Sequence, residues 1–233
     1  MTLHVGMLLF PDLTQLDLTG PYEVFARMPD TQVHLIAETA APVRSEMGLT
    51  IVPTATYAST PKLDVICVPG GPGIVHAIQS EAALDFLRRQ GASARYVTSV
   101  CTGALVLGAA GLLRGYRATT HWMSLDLLPV LGAIPVEERI VVDRNRITGG
   151  GVTAGIDFAL RVAAELFSPA VAQGIQLMIE YNPAPPFHAG SPRTAPADVV
   201  SRILERSRGR QDARKQMLVE AAHRASLAGP GAA

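Results

Sequence analysis

The stretch Tyr96-Val97-Thr98-Ser99-Val100-Cys101-Thr102-Gly103-Ala104-Leu105-Val106-Leu107 decides the fold. Up to Val100 the residues are apolar or β-prone and read as a strand; after the cysteine they are small and helix-prone. A strand that turns directly into a helix forms a nucleophile elbow, a turn so sharp that its neighbours must be small. Ser99 lies two before Cys101 and Gly103 two after, the steric logic of G-x-S-x-G with serine in the first glycine's place. At such a junction the helix dipole and free backbone N–H groups favour the thiolate. The alternative is a buried structural cysteine, since free cysteines are often buried.

Outward from the elbow, strands alternate with helices. Leu3 to Phe10 is a near-continuous apolar run, as for a strand covered on both faces. Pro11 breaks it, a loop runs from Asp12 to Thr19, and Thr19-Gly20-Pro21 reads as a helix start with proline in the first turn. Strands are predicted at Val33 to Glu38 and Leu63 to Val68, and a small hairpin joins Val43–Ser45 to Leu49–Val52. Helices are predicted over Ala82 to Gln90, Ser124 to Leu131, Thr153 to Phe167 and Pro169 to Glu180. Arg117 to Thr120 reads as a short strand, and Asp143-Arg144-Asn145 as the turn of a further hairpin. Such alternation predicts a single α/β domain: a largely parallel sheet, helices on both faces, flavodoxin-like. Residues 1–195 form the expected catalytic domain. A helical extension, 196–227, packs on it or on a dimer partner, and 228–233 form a flexible tail.

Composition narrows the function. The 233 residues are 48% hydrophobic and only 17% charged, so much of the chain must be packed. The net formal charge is zero, which argues against a nucleic-acid partner. No apolar run approaches the roughly 18–20 residues of a membrane span. The first residues lack the basic and apolar regions of a signal peptide. The two cysteines, Cys67 and Cys101, make no disulfide scaffold. The expectation is a reduced, cytoplasmic chain.

Three loops that leave strand ends carry the chemistry, since ligands of parallel sheets bind beyond the carboxyl ends of the strands. They hold Asp17, then Gly70 and Gly71, then Cys101 and Thr102. Together these offer a nucleophile, a carboxyl group and bare N–H groups, the kit for attack on an unsaturated carbon. Asp17 is flanked by Leu16 and Leu18. An apolar pocket raises a carboxyl pKa, so Asp17 is either a proton donor near neutral pH or a solvated loop residue. Gly70 and Gly71 either present N–H groups to developing charge or form a tight turn. His121 either pairs with the cysteine or is fixed by hydrogen bonds without transferring protons. Cys67, mid-strand, reads as core. The six histidines and two cysteines show neither H-x-x-x-H nor C-x-x-C, so no metal is expected, and Gly149-Gly150-Gly151 lacks the ending of a phosphate loop.

With Leu16-Asp17-Leu18-Thr19-Gly20-Pro21, Pro69-Gly70-Gly71, Ser99-Val100-Cys101-Thr102-Gly103 and Thr119-Thr120-His121-Trp122 in hand, the chain resembles the isocyanide hydratases of the DJ-1/PfpI superfamily. Ala154-Gly155-Ile156-Asp157-Phe158-Ala159-Leu160 and the segment Tyr181–Pro192 extend the resemblance over nearly the whole chain. An aspartate on the first loop, where many superfamily members place a glutamate near the cysteine, is the more telling feature. The resemblance implies hydration of an organic isocyanide to an N-substituted formamide without a cofactor. Cys101 would form a covalent thioimidate, Asp17 would act as general acid and base, and Thr102, Gly71 and Gly70 would stabilise the intermediate. Val152 stands where the resemblance leads one to expect isoleucine. The implied partners are a small isocyanide, water and a second copy of the chain, with no nucleic acid and no membrane. Other superfamily activities, of glyoxalase or hydrolase type on carbonyl substrates, or a thiol sensor of redox state or ligand, are the alternative readings.

Overall fold

The computed structural model describes residues 2–227. The expected tail, 228–233, lies outside the described residues. Seven strands form the main sheet: β1 (Leu3–Leu8), β2 (Thr31–Ala37), β5 (Ala55–Thr56), β6 (Val65–Val68), β7 (Tyr96–Val100), β10 (Ile140–Asp143) and β11 (Arg146–Gly149). Their order is β10-β11-β7-β6-β1-β2-β5. All neighbours pair in parallel except β10 and β11, which form the predicted hairpin. Every residue of β6 is buried, as a central strand covered on both faces requires. The small hairpin of β3 (Val43–Arg44) and β4 (Thr50–Ile51) also forms, and β8 (Arg117–Ala118) pairs with β9 (Ile134–Pro135).

Two groups of helices cover the sheet. One comprises α1 (Gln15–Phe25), α5 (Ala154–Leu166) and α6 (Pro169–Met178). The other comprises α2 (Ile74–Gln79), α3 (Glu81–Gly91), α4 (Gly103–Ala109) and the long α7 (Ala197–Leu227), with a 3-10 helix over Trp122–Leu131. Right-handed crossovers place the groups on opposite faces. The C-terminal helix packs on the 3-10 helix, α2 and α4 of its own chain. Among the described residues no helix is long and apolar enough to cross a membrane.

The boundaries of α1 depart from the sequence reading. The helix begins at Gln15, so Asp17 sits in its first turn rather than on a loop, and Pro21 lies inside the helix. A proline there removes a helical N–H and normally disfavours the helix. Tertiary packing outweighs this: α1 lies closely on α5, where Gly155 leaves room for the Pro21 ring. Thr153 precedes α5 as expected but makes no side-chain cap; its hydroxyl accepts a long 3.4 Å hydrogen bond from Arg139 instead.

Candidate active site

β1, β6, β7 and β11 are parallel neighbours, so their carboxyl ends share one edge of the sheet. The order reverses between β1 and β6, which opens a crevice for a ligand at that edge. α1 brings Asp17 to it, the loop after β6 brings Gly70 and Gly71, and the β7–α4 turn brings Cys101 and Thr102.

Cys101 has φ of 55°, in the left-handed region that L residues rarely occupy. The surroundings hold it there. Its N–H donates to the carbonyls of Gly149 at 3.0 Å and Gly150 at 2.8 Å, and its carbonyl accepts from the Thr120 hydroxyl at 2.7 Å. Gly103 follows from the same turn, since a Cβ there would collide with the Val68 carbonyl. The strained cysteine backbone and the small residue two beyond it are the elbow that the sequence predicted.

Asp17 is fully buried. Its Oδ2 accepts the Gly70 N–H at 2.9 Å, while Oδ1 makes no well-formed hydrogen bond among the described residues. Burial raises the Asp17 carboxyl to about 7, although the Gly70 N–H and the Cys101 thiol both draw it down. Glu46, whose Oε1 accepts from the Thr14 hydroxyl at 2.6 Å, adds a smaller upward push. Burial also raises the Cys101 thiol well above its ordinary value, and the Asp17 charge acts the same way. The backbone N–H and hydroxyl of Thr102 favour the thiolate without prevailing. This corrects the sequence expectation that the helix terminus governs the thiol: α4 is only seven residues long, and desolvation at a 5% exposed cysteine is the larger effect. At neutral pH Cys101 therefore keeps its thiol proton while Asp17 exchanges between its protonated and ionised forms, so the two titrate as a coupled pair.

The glycines act differently from the sequence reading. The Gly70 N–H is taken by Asp17, and the Gly71 N–H donates to Thr102 Oγ1 at 3.0 Å. Neither is a bare donor; they hold the acid and the hydroxyl in place. A Cβ on Gly70 would approach Thr102 Oγ1 to 2.7 Å and Asp17 Oδ2 to 2.8 Å, so glycine is required where three site groups meet. The Thr102 hydroxyl can itself donate to the Gly71 carbonyl at 3.3 Å, or to the thiolate.

His121 is not a base for Cys101 here. Its Nδ1 accepts the Met123 N–H at 3.3 Å and caps the 3-10 helix. Burial, Arg214 and Arg210 lower it to about 4, so it is neutral at physiological pH. Val152 is partly buried and packs against the core at the start of α5; it is Gly149 and Gly150, just before it, that bond Cys101. Among the described residues no cluster of side chains is suited to a metal ion. Sequence reasoning did not single out Glu46, Thr120 or Arg214. Thr120 lay within a quoted motif; nothing local marks the other two.

Residues 4–165 match the DJ-1/PfpI family. The chain belongs to that family. It is 56% identical over 227 residues to the isonitrile hydratase of Pseudomonas putida, spanning 97% of this chain and 100% of the relative. A ThiJ/PfpI family protein from Pseudomonas syringae has the same architecture: the TM-score is 0.90 at 45% identity, with 95% of this chain and 91% of the other covered. The transcriptional regulator GbdR of Pseudomonas aeruginosa is 29% identical over 186 residues, which cover 76% of this chain but 50% of the regulator.

Proposed function

We propose that this protein is an isocyanide hydratase, converting R–N≡C and water to R–NH–CHO. The observation that carries the reading is the buried Asp17–Cys101 pair at the elbow, in a chain 56% identical to an isonitrile hydratase over nearly its full length. An isocyanide carbon takes up both a nucleophile and a proton, and a coupled thiol and carboxyl supply both.

In the proposed mechanism Asp17 draws the thiol proton as the sulfur attacks the terminal carbon. A C–S bond forms, and the proton passes from Asp17 to the same carbon, giving the thioimidate R–N=CH–S–Cys101. Water then attacks this carbon. Asp17 accepts a proton from the water and passes it to the nitrogen, giving R–NH–CH(OH)–S–Cys101; the hydroxyl proton then moves to Asp17 as the C–S bond breaks to release the formamide. The departing thiolate accepts hydrogen bonds from the Thr102 N–H and hydroxyl and is reprotonated from Asp17. Gly70 orients the carboxyl and Gly71 the hydroxyl. A carbonyl-directed reaction with His121 as base is disfavoured by the low basicity of that ring and by its use as a helix cap. The reading includes a homodimer in the cytoplasm, with a small isocyanide and water as its other partners and no nucleic acid or membrane; Leu177 and Met178, neighbours at the end of α6, are exposed apolar side chains that a second copy would cover.

The test is formamide production from a simple alkyl or aryl isocyanide, followed by chromatography. The expected result is turnover by the wild type and none by Cys101→Ala. No formamide from the wild type across several isocyanides overturns the proposal.

A further inference from the structure

α7 buries a cation that pairs with no carboxylate among the described residues. Arg214 is only 7% exposed. Its Nη1 donates to Ser124 Oγ at 2.9 Å and to Gln211 Oε1 at 3.0 Å, its Nε has no partner, and no ion pair among the described residues includes it. A buried charge without a counter-charge is costly, and proteins keep one where another charge offsets it. The bonds around Arg214 lead to the elbow. Gln211 Nε2 donates to the Met123 carbonyl at 2.9 Å, Met123 N–H is bonded to His121, and Thr120, next in the chain, bonds the Cys101 carbonyl.

We propose that Arg214 is a positioning residue for the nucleophile: its buried guanidinium, bound to Ser124 and Gln211 but to no carboxylate among the described residues, is the counter-cation of the Cys101 thiolate. Burial weakens the arginine's hold on its proton, and a Cys101 thiolate opposes that loss by strengthening it. The other ionisable neighbours do not supply this. Asp17 is anionic or neutral, Glu46 acts on Asp17, His121 is neutral, and Asp126 on the 3-10 helix is exposed. His76 of α2 faces Asp12 at 3.8 Å, and Arg210 bonds Ser207 and repels Arg214. The inference gives the C-terminal helix a part in the site, and it rests on the reading of Cys101 as the nucleophile.

The test is the pH dependence of Cys101 alkylation by iodoacetamide, located by peptide mass spectrometry in the full-length protein, which does not depend on isocyanide turnover. Arg214→Met, close in volume and uncharged, should move the inflection upward and lower the rate at pH 8 by about threefold or more. Arg214→Lys should stay near the wild type, and Arg210→Gln should leave the profile unchanged. Gln211→Glu keeps the guanidinium but gives it a carboxylate, and should shift the inflection in the same direction as Arg214→Met; it decides the matter if the methionine variant does not fold. An unchanged profile in folded Arg214→Met or Gln211→Glu, or an equal shift in the lysine variant, overturns the proposal. A shift in Arg214→Met with no formamide from the wild type would leave this inference standing and remove the hydratase reading.

Discussion

Cys67 and Cys101 lie on the neighbouring strand segments β6 and β7–α4, both buried and both free. Burial pushes the Cys67 thiol to about 12, and the Cys101 thiol is also held well above its ordinary value. Thiol acidity at rest therefore does not separate a reactive cysteine from an inert one in this protein. What separates them is the surroundings. Cys67 sits in regular strand geometry beside Thr98, whose hydroxyl is bonded to the Ile66 carbonyl at 2.6 Å. Cys101 is turned out of its strand at φ 55°, beside a carboxyl poised near 7 and a hydroxyl able to donate to sulfur. A high thiol pKa is compatible with catalysis when a base that titrates at neutral pH takes the proton during attack.

The largest expected contrast is between the two alanine variants. Cys101→Ala should lower kcat below detection, at least about 10³-fold, while Cys67→Ala keeps turnover within about twofold in the same formamide assay. Next is Asp17→Asn, which keeps the shape of the acid and removes its proton chemistry. It should lose about 10²–10⁴-fold in kcat/KM. The same variant should be more stable than the wild type in mild alkali. Folding raises the Asp17 pKa from 3.8 to about 7, so the folded state binds that proton more tightly than the unfolded chain. The associated stabilisation is complete below 3.8, is lost as pH rises toward 7, and above 7 the buried carboxylate costs on the order of 4 kcal/mol relative to a neutral group. Thermal unfolding at pH 8 should therefore show Asp17→Asn melting higher by about 5–10 °C. Equal or lower stability would contradict the buried ionised acid.

The wild-type pH profile sharpens the pairing. kcat/KM should fall about tenfold per unit as pH drops below about 7, because both members of the pair are then protonated and nothing can accept the thiol proton. In Asp17→Asn this acid limb should disappear. Thr102→Val removes the hydroxyl that can reach the thiolate and should cost about tenfold in kcat. The smallest effect expected is on Cys67→Ala: calorimetry should find it about 1–2 kcal/mol less stable, the cost of a small void in the sheet.

Why the elbow was legible and α1 was not follows from the range of the forces involved. The β7–α4 boundary is set by local facts: an apolar strand pattern, a change to small residues and a turn that admits no side chain at Gly103. The start of α1 is set by distant ones. Gly20 and Pro21 read locally as a helix start, yet Gly155 and Ile156, more than a hundred residues away, accommodate them inside the helix. Leu16 and Leu18 leave Asp17 open between a desolvated acid and a solvated loop residue, and Leu16 is in fact exposed; the burial of Asp17 comes from the packing of α1, which the neighbouring residues do not reveal. The roles of Gly70 and Gly71 were not legible either, because whether an N–H is free depends on which side chains from α1 and the β7–α4 turn reach it. Arg214 is 113 positions from Cys101 and lies in a helix rich in arginine, so no local signal separates the buried cation from its solvated neighbours.

The most direct test of the central claim is rapid-quench peptide mass spectrometry of the wild type mixed with an isocyanide. The account predicts an increment equal to the whole isocyanide on the peptide that carries Cys101 and none on the peptide that carries Cys67, appearing before formamide accumulates. Formamide accumulating with no adduct at any quench time, or an adduct on Cys67, would contradict it.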